Sequence, residues 1–372
     1  MGARMSKRCV LVVAVLLVFS QTARMQKSRT LDIYSIDVEG GQATLFVSPS
    51  GESLLVDAGN PGDRDADRIA ASAKEAGVSR IDYLVITHYD GDHVGGVKDV
   101  ASRLPIRTFV DHGPRMPPPG SSPLTPEAQA NVDRVDRQYA EARAAGRHIE
   151  VRAGDTIPIQ GLDVQVVSSK GAVITKPLAG RRTNNPLCHD FAPHPQDTSE
   201  NIFSVGMMIG AFGRFRLLDL GDLTWNTEHD LVCPDNLLGV VDVYVTTHHG
   251  LARSGPPALV HAIRPRVAIV NNGPQKGNSR ETWETLKRSP GLEDVWQLHF
   301  SVQRPAQPRF EENGQPGGPD LNAPESFIAN LVDAPPTHAP AYALKLSVRP
   351  DGSFVVVNTR NGYSKEYKAG SR

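Results

Sequence analysis

Short apolar runs, broken by glycine, proline and polar clusters, recur along most of this 372-residue chain. Runs of roughly four to eight residues have the length of strands rather than helices. Residues 31–38 and 44–47 read as strands parted by Gly40 and Gly41, and 53–56 as a third that stops at Asp57-Ala-Gly59. The period then changes. Ala66, Ile69, Ala70, Ala73 and Ala76 fall at helical spacing, so 63–76 is predicted as a helix with Gly77 as its stop. Residues 81–87 form a near-continuous apolar strand that runs into a polar cluster, and 95–102 read as the helix leaving it. This alternation predicts an α/β layer architecture.

Farther along, a Pro-Pro-Pro-Gly break ends at Gly120, and Thr125 caps a helix with Pro126 at its first position, running to about Ala145. Strands are expected at 148–151 and 162–168, followed by a long polar loop over 170–199 beside the site. Residues 202–209 and 214–220 read as a hairpin around Gly213, and 240–247 and 266–271 as buried strands. A helix is expected at 280–287, a Gly/Pro-rich insertion at 307–324, and a hairpin of 342–348 with 353–358 around Pro350-Asp-Gly352.

The N-terminus follows different rules. Arg4, Lys7 and Arg8 precede an apolar run over 9–19, and small or polar residues follow. That layout predicts a secretory signal peptide over 1–23. The apolar run is well short of the roughly 20 residues that span a bilayer. The expected mature protein is therefore exported, periplasmic or extracellular, with no stable membrane association after cleavage. Removing Arg4, Lys7 and Arg8 takes the net charge from −1 to about −4. A mildly acidic chain has no global attraction for polyanions, and no aromatic-and-basic tract argues independently for nucleic acid. Cys188 and Cys233 remain, either as a disulfide or as two free thiols. Hydrophobic residues at 39% and charged residues at 22% describe a globular chain with material for a large core.

The candidate chemistry lies directly after the strand at 81–87. His88, Asp90, Asp92 and His93 fall within six residues, with Gly91 permitting a tight turn. An isolated His-x-Asp pair is usually a solvated turn, but a dense cluster at the C-terminal end of a buried strand stands where α/β proteins build their sites. Imidazole and carboxylate together suit Zn²⁺, Mn²⁺ or Fe²⁺.

The stretch Leu84-Val-Ile-Thr-His88-Tyr-Asp90-Gly-Asp92-His93-Val-Gly-Gly96 resembles the second motif of the metallo-β-lactamase superfamily. Asp90 replaces the commonest histidine, a departure similar to the exported domain of ComEC-type DNA-uptake proteins. Further pieces follow in order: 36–42 with 54–59, Leu217-Leu-Asp-Leu-Gly-Asp222, and Val243-Tyr-Val-Thr-Thr-His248-His249-Gly250. The resemblance implies a four-layer αββα sandwich over 31–372, with core motifs in 31–275 and further strands and the insertion in 276–372. It implies two divalent ions, Zn²⁺ or Mn²⁺. His88 and Asp90 would hold the first; Asp92, His93 and either His248 or His249, with His249 favoured, would hold the second.

Asp222 would bridge the two ions, and Asp92 and Asp222 carry the catalytic assignment. The implied reaction is hydrolysis by a metal-activated water, with a small-molecule or nucleic-acid phosphodiester as the leading substrate. The alternatives are an amide or ester hydrolase of β-lactamase type, or a binding protein with a degenerate centre. The third-motif histidine is missing: Ser199-Glu200-Asn201 stands in its place, so Glu200, Asn201 or nothing completes the first shell. His112 is expected either in the cleft or in a surface turn. Asp57 is expected beneath the site, and His189, His194 and His229 in loops. Trp225 is expected on the scaffold, and Arg181 and Arg182 in solvent or against a phosphate.

Overall fold

The computed structural model describes residues 30–178, 183–302, 319–331 and 341–370. The expected signal peptide, Arg181, Arg182 and most of the 307–324 insertion lie outside the described residues. Two nine-stranded sheets dominate the described residues. In the first, the strand Leu31–Ser35 pairs antiparallel with Leu344–Val348 on one side and with Thr44–Val47 on the other. The sheet then continues through Ser53–Val56, Tyr83–Val85, Thr108–Asp111 and Arg147–Glu150, which run parallel. The second sheet has an antiparallel half around Gly206–Ala211. Its parallel half comprises Phe215–Asp219, Val243–Val245, Val267–Val270, Asp294–His299 and Ile328–Asn330.

Period-two alternation decides how the layers stack. Leu54 and Val56 point into the same core as Val243, Val245, Val267 and Ile269 of the other sheet. Their neighbour Leu55 faces the opposite way, where it packs with Ala66, Ile69 and Ala73 of the helix Asp63–Glu75 and with Val135 of Pro126–Arg143. On the far side, Leu218, Tyr244 and Ala268 meet Leu259 and Ile263 of the helix Pro257–Ile263 and Leu286 of Arg280–Arg288. Helix, sheet, sheet, helix is the four-layer αββα sandwich that the motifs implied. A residue such as Leu54, fully buried between the sheets, contributes about 1.5–3 kcal/mol.

Several elements differ from the pattern-based reading. The expected strand at 202–209 begins instead as a short 3-10 turn, Glu200–Phe203, and only Gly206–Ala211 is strand. Ser199 caps that turn, and the Glu200 carboxylate is held by a buried histidine, which keeps the segment from pairing. The loop at 170–199 carries a 3-10 turn, Pro186–Asp190, and the strand Thr183–Asn184, which pairs with Asp235–Asn236. A Cys188–Cys233 disulfide ties this segment down. The helices Trp225–Asp230 and Pro257–Ile263 and the strands Asp294–His299 and Ser364–Tyr367 carry no strong periodic signal of their own.

The topology places the chemistry. Asp57, His88, Asp222, His248 and Asn271 each follow the C-terminal end of a parallel-running strand. The ends of the two sheets meet there: the backbone N–H of Val205 donates to the Thr87 carbonyl at 2.8 Å. A Cβ on Gly221, which has φ +58°, would lie 2.8 Å from the Thr87 side chain, so only glycine permits this approach.

Candidate metal centre

Asp57 is the first fixed point. It adopts a left-handed backbone with φ 60° just past the strand Ser53–Val56. Its carboxylate accepts from the Thr87 N–H at 2.8 Å and from the Thr87 hydroxyl at 2.7 Å. The same Oδ2 lies 2.7 Å from His93 Nδ1. A carboxylate accepts, so His93 Nδ1 carries the proton and Nε2 presents its lone pair. His88 Nδ1 lies 3.1 Å from the Thr87 hydroxyl oxygen. That hydroxyl's proton already points to Asp57, so His88 Nδ1 is the donor there, and its Nε2 too is left with a lone pair. Burial alone would not set these tautomers; the Asp57–Thr87 pair does.

The turn between the two histidines is closed by the Asp90 carbonyl, which accepts from His93 and Val94 at 3.0 Å each. A Cβ on Gly95 would stand 2.1 Å from the Gly91 carbonyl oxygen, and one on Gly96 2.1 Å from that of Ala58. The glycines that follow the cluster therefore let it fold tightly against the Asp57 loop.

The second sheet supplies the other half. Asp222 follows Gly221, whose N–H donates to the buried Asp219 at 3.1 Å. His248 and His249 both adopt left-handed backbone, with φ 55° and 56°. Two consecutive non-glycine residues in that region cost on the order of 1–3 kcal/mol each. They are held by bonds on both sides. His248 N–H donates to the Gly221 carbonyl at 3.0 Å, and the His249 carbonyl accepts from Asn278 at 3.0 Å. A Cβ on Gly277 would lie 2.1 Å from that same carbonyl oxygen.

These segments converge. Asp222 Oδ2 lies 3.3 Å from His93 Nε2 and 3.4 Å from Nε2 of both His248 and His249. Asp92 Oδ2 lies 3.4 Å from His249 Nε2 and 3.6 Å from His93 Nε2. Asp90 Oδ2 lies 3.7 Å from His88 Nε2. Two overlapping groups result, His88–His93–Asp222 and Asp92–His93–His249, each with ligand atoms within 4.8 Å of one another. His249 thus stands with Asp92, while His248 turns its Nδ1 to within 3.3 Å of the Ser254 hydroxyl.

Carboxylate oxygens and imidazole lone pairs pointed into one buried space repel unless a cation lies among them, and this donor set fits a divalent ion. Buried His88 Nε2 and Asp222 Oδ1 have no hydrogen-bond partner, and they are the atoms such an ion would satisfy. The charges in this space also respond to one another. Burial pushes His93 down, but Asp222, Asp57 and Asp92 outweigh it and hold the imidazolium well above its ordinary range. Burial raises Asp222, yet His249, His93 and His248 hold it well below the usual carboxylate range. His248, dominated by burial, is pushed down to about 4.

Of the two third-motif candidates, Glu200 is engaged elsewhere. Its carboxylate pairs with His112 Nε2 at 3.0 Å and with Arg115 at 3.6 Å. The Asn201 side-chain oxygen is buried without a partner. His112 is not in a surface turn: it is fully buried, with its ring centroid 4.4 Å from that of Tyr89. Trp225 stacks on His194 at 4.1 Å and donates to the Ala192 carbonyl, as a scaffold residue does. His229 stacks on Phe191 at 3.9 Å. His189 sits in the turn Pro186–Asp190.

Sequence reasoning missed Lys276. Its ammonium is bonded to Asp92 Oδ2, at the edge of the cluster. The signal was present: Lys276 follows the buried strand Val267–Val270 within a polar, glycine-containing loop, the same setting that marked the histidines.

Residues 36–173 match the family model described as metallo-beta-lactamase superfamily. Recombination protein 2 of Haemophilus influenzae is 23% identical over 273 residues, covering 73% of this chain and 27% of that protein. The Beta-lactamase-like protein 2 homolog of Caenorhabditis elegans is 33% identical over 64 residues, 17% of this chain and 22% of that protein. The chain thus spans under a third of the length of either relative. Among solved structures, Igni18, a metallo hydrolase from the archaeon Ignicoccus hospitalis, aligns with TM-score 0.38 and 13% identity, covering 73% of this chain and 97% of that one.

Proposed function

With residues 36–173 belonging to the metallo-β-lactamase superfamily, a superfamily of metallo-hydrolases, we propose that this chain is a dinuclear phosphodiester hydrolase. The observation that carries the reading is the placement of Asp222 Oδ2 within 3.4 Å of three imidazole Nε2 atoms from two loops. His88, Asp90 and Asp222 would hold one ion, with the buried, unpartnered oxygen of Asn201 the remaining third-motif candidate; Asp92, His93, His249 and Asp222 would hold the other. Zinc or manganese suits both sets. When bound, the ions supply Lewis acidity and a hydroxide nucleophile at neutral pH.

The chain's own residues prepare that chemistry. Asp57 and Thr87 hold His88 and His93 in the tautomers that aim Nε2 inward. Asp222, buried and flanked by imidazoles, keeps its charge where it can join the two halves. Two cations near the acidic cluster support an anionic substrate: Lys276, paired with Asp92, and Arg115, paired with Asp136 and Glu200. The Cys188–Cys233 disulfide supports an oxidising, exported setting.

The test compares turnover of bis-p-nitrophenyl phosphate, single-stranded DNA and a chromogenic cephalosporin, with metal content measured on the same sample. The expected result is turnover of one or both phosphodiesters with two metals per chain. Turnover of the cephalosporin alone would replace this reading with the amide-hydrolase one. Fewer than about one tightly held metal after loading would favour a degenerate binding protein.

A further inference from the structure

The geometry points to Lys276 as a placeholder for the ion of the Asp92–His93–His249 group. Its ammonium stands against Asp92, and an ion bound by that group would displace it towards an anionic substrate oxygen. The inference rests on the metal-site reading above. The contact involves a single atom: Asp92 Oδ2, which Lys276 Nζ engages, is also the oxygen 3.4 Å from His249 Nε2 and 3.6 Å from His93 Nε2. An ion bound by those three residues and the ammonium would both be drawn to one carboxylate oxygen, and two cations so close repel each other strongly in a partly buried site.

The lysine is able to move. Its backbone is fixed, because its carbonyl accepts from Gly273 N–H at 2.9 Å and its Cβ stands beside Gly40. Its side chain is 35% exposed on a flexible four-carbon stem, so the ammonium has room to leave Asp92. Displaced from Asp92, a cation tethered at the edge of the cluster would pair with a phosphodiester's unesterified oxygen.

The test is a chelator-competition titration of the full chain with Zn²⁺ alone, for the native protein, Lys276→Met and Lys276→Arg. Removing the competing charge should tighten the second equivalent of zinc at least about tenfold in Lys276→Met while leaving the first unchanged. Lys276→Arg, which keeps the charge, should stay near the native value. A second equivalent that binds Lys276→Met with unchanged or weaker affinity overturns the placeholder role, the weaker case making Lys276 a positioning partner of Asp92. If the methionine variant does not fold, Lys276→Gln is titrated and read in the same way.

With metal saturating, Lys276→Met should raise KM for bis-p-nitrophenyl phosphate about tenfold with kcat little changed. An unchanged KM overturns the anchoring role. The titration needs no substrate. A native protein that leaves the phosphodiester intact would therefore sink the phosphodiesterase reading, and the anchoring role with it, while the zinc affinities still decide the placeholder role.

Discussion

The carboxylate of Asp57, fully buried, grips His93 through a 2.7 Å bond to Nδ1 and so dictates which ring nitrogen faces the centre. Asp57 contributes no ligand atom of its own in this arrangement. Asp57→Asn keeps the volume but replaces a charged acceptor with an amide that can present its donor side. Metal affinity should fall on the order of 10–100-fold, the usual cost of losing such support. Competition titration with a chromophoric chelator measures it; native affinity in the variant would remove Asp57 from this role.

Asp222 joins the two ligand groups. Asp222→Ala should abolish hydrolysis and lower the metal content of the loaded protein from two ions to about one. Inductively coupled plasma measurement on the assayed sample checks both halves. Near-native turnover would rule out the dinuclear model.

Metal removal should loosen the fold as well as stop the reaction. An ion that binds only the folded state at about a hundred times its Kd adds about 2.7 kcal/mol of stability. Thermal unfolding before and after exhaustive chelation, then after zinc return, should show a reversible fall in Tm. A Tm indifferent to chelation would mean the ligand loops are set without the ion.

Glu228 gives a pH signature separate from the ligands. It is fully buried beneath the His248–His249 turn, accepting from Gly255 N–H at 2.6 Å, and burial pushes it up to about 8 from an ordinary 4.5. Between those two values the folded state binds a proton that the unfolded state has released. Stability therefore declines as pH rises from about 4.5 to about 8. Glu228→Gln keeps an acceptor for Gly255 and should flatten that decline in urea unfolding series. A slope equal to the native one would contradict the assignment.

Much of the fold was legible because the sandwich buries each sheet on both faces and shows its strands as apolar runs. Residues 53–56 and 267–270 are examples. The cluster from His88 to His93 was legible because it is contiguous. What stayed hidden depends on contacts across the chain. Glu200, one of the alternatives for completing the first shell, is held by His112, 88 residues earlier in the chain. Lys276 sits in a polar loop after a buried strand, but its partner Asp92 lies 184 residues away, so the loop alone did not single it out. His249 stands with Asp92, and His248 beside Ser254, because the chain turns through two left-handed backbone positions that no periodicity encodes. The strand expected at 202–209 failed at its start, where a side-chain bond outweighed apolar character.

The meeting of the two sheet ends at Thr87 and Gly221 makes the centre a seam. One edge, His88 to His93, comes from the first sheet, and the other, Asp222 to His249, from the second. The span 36–173 that carries the family signature holds one edge alone. A fragment cut at that boundary would own a histidine-aspartate turn and lack the bridging carboxylate. Such a half would hold His88, Asp90, Asp92 and His93 without Asp222 or His249, and both ligand groups would be incomplete until the other half of the sandwich closed on it.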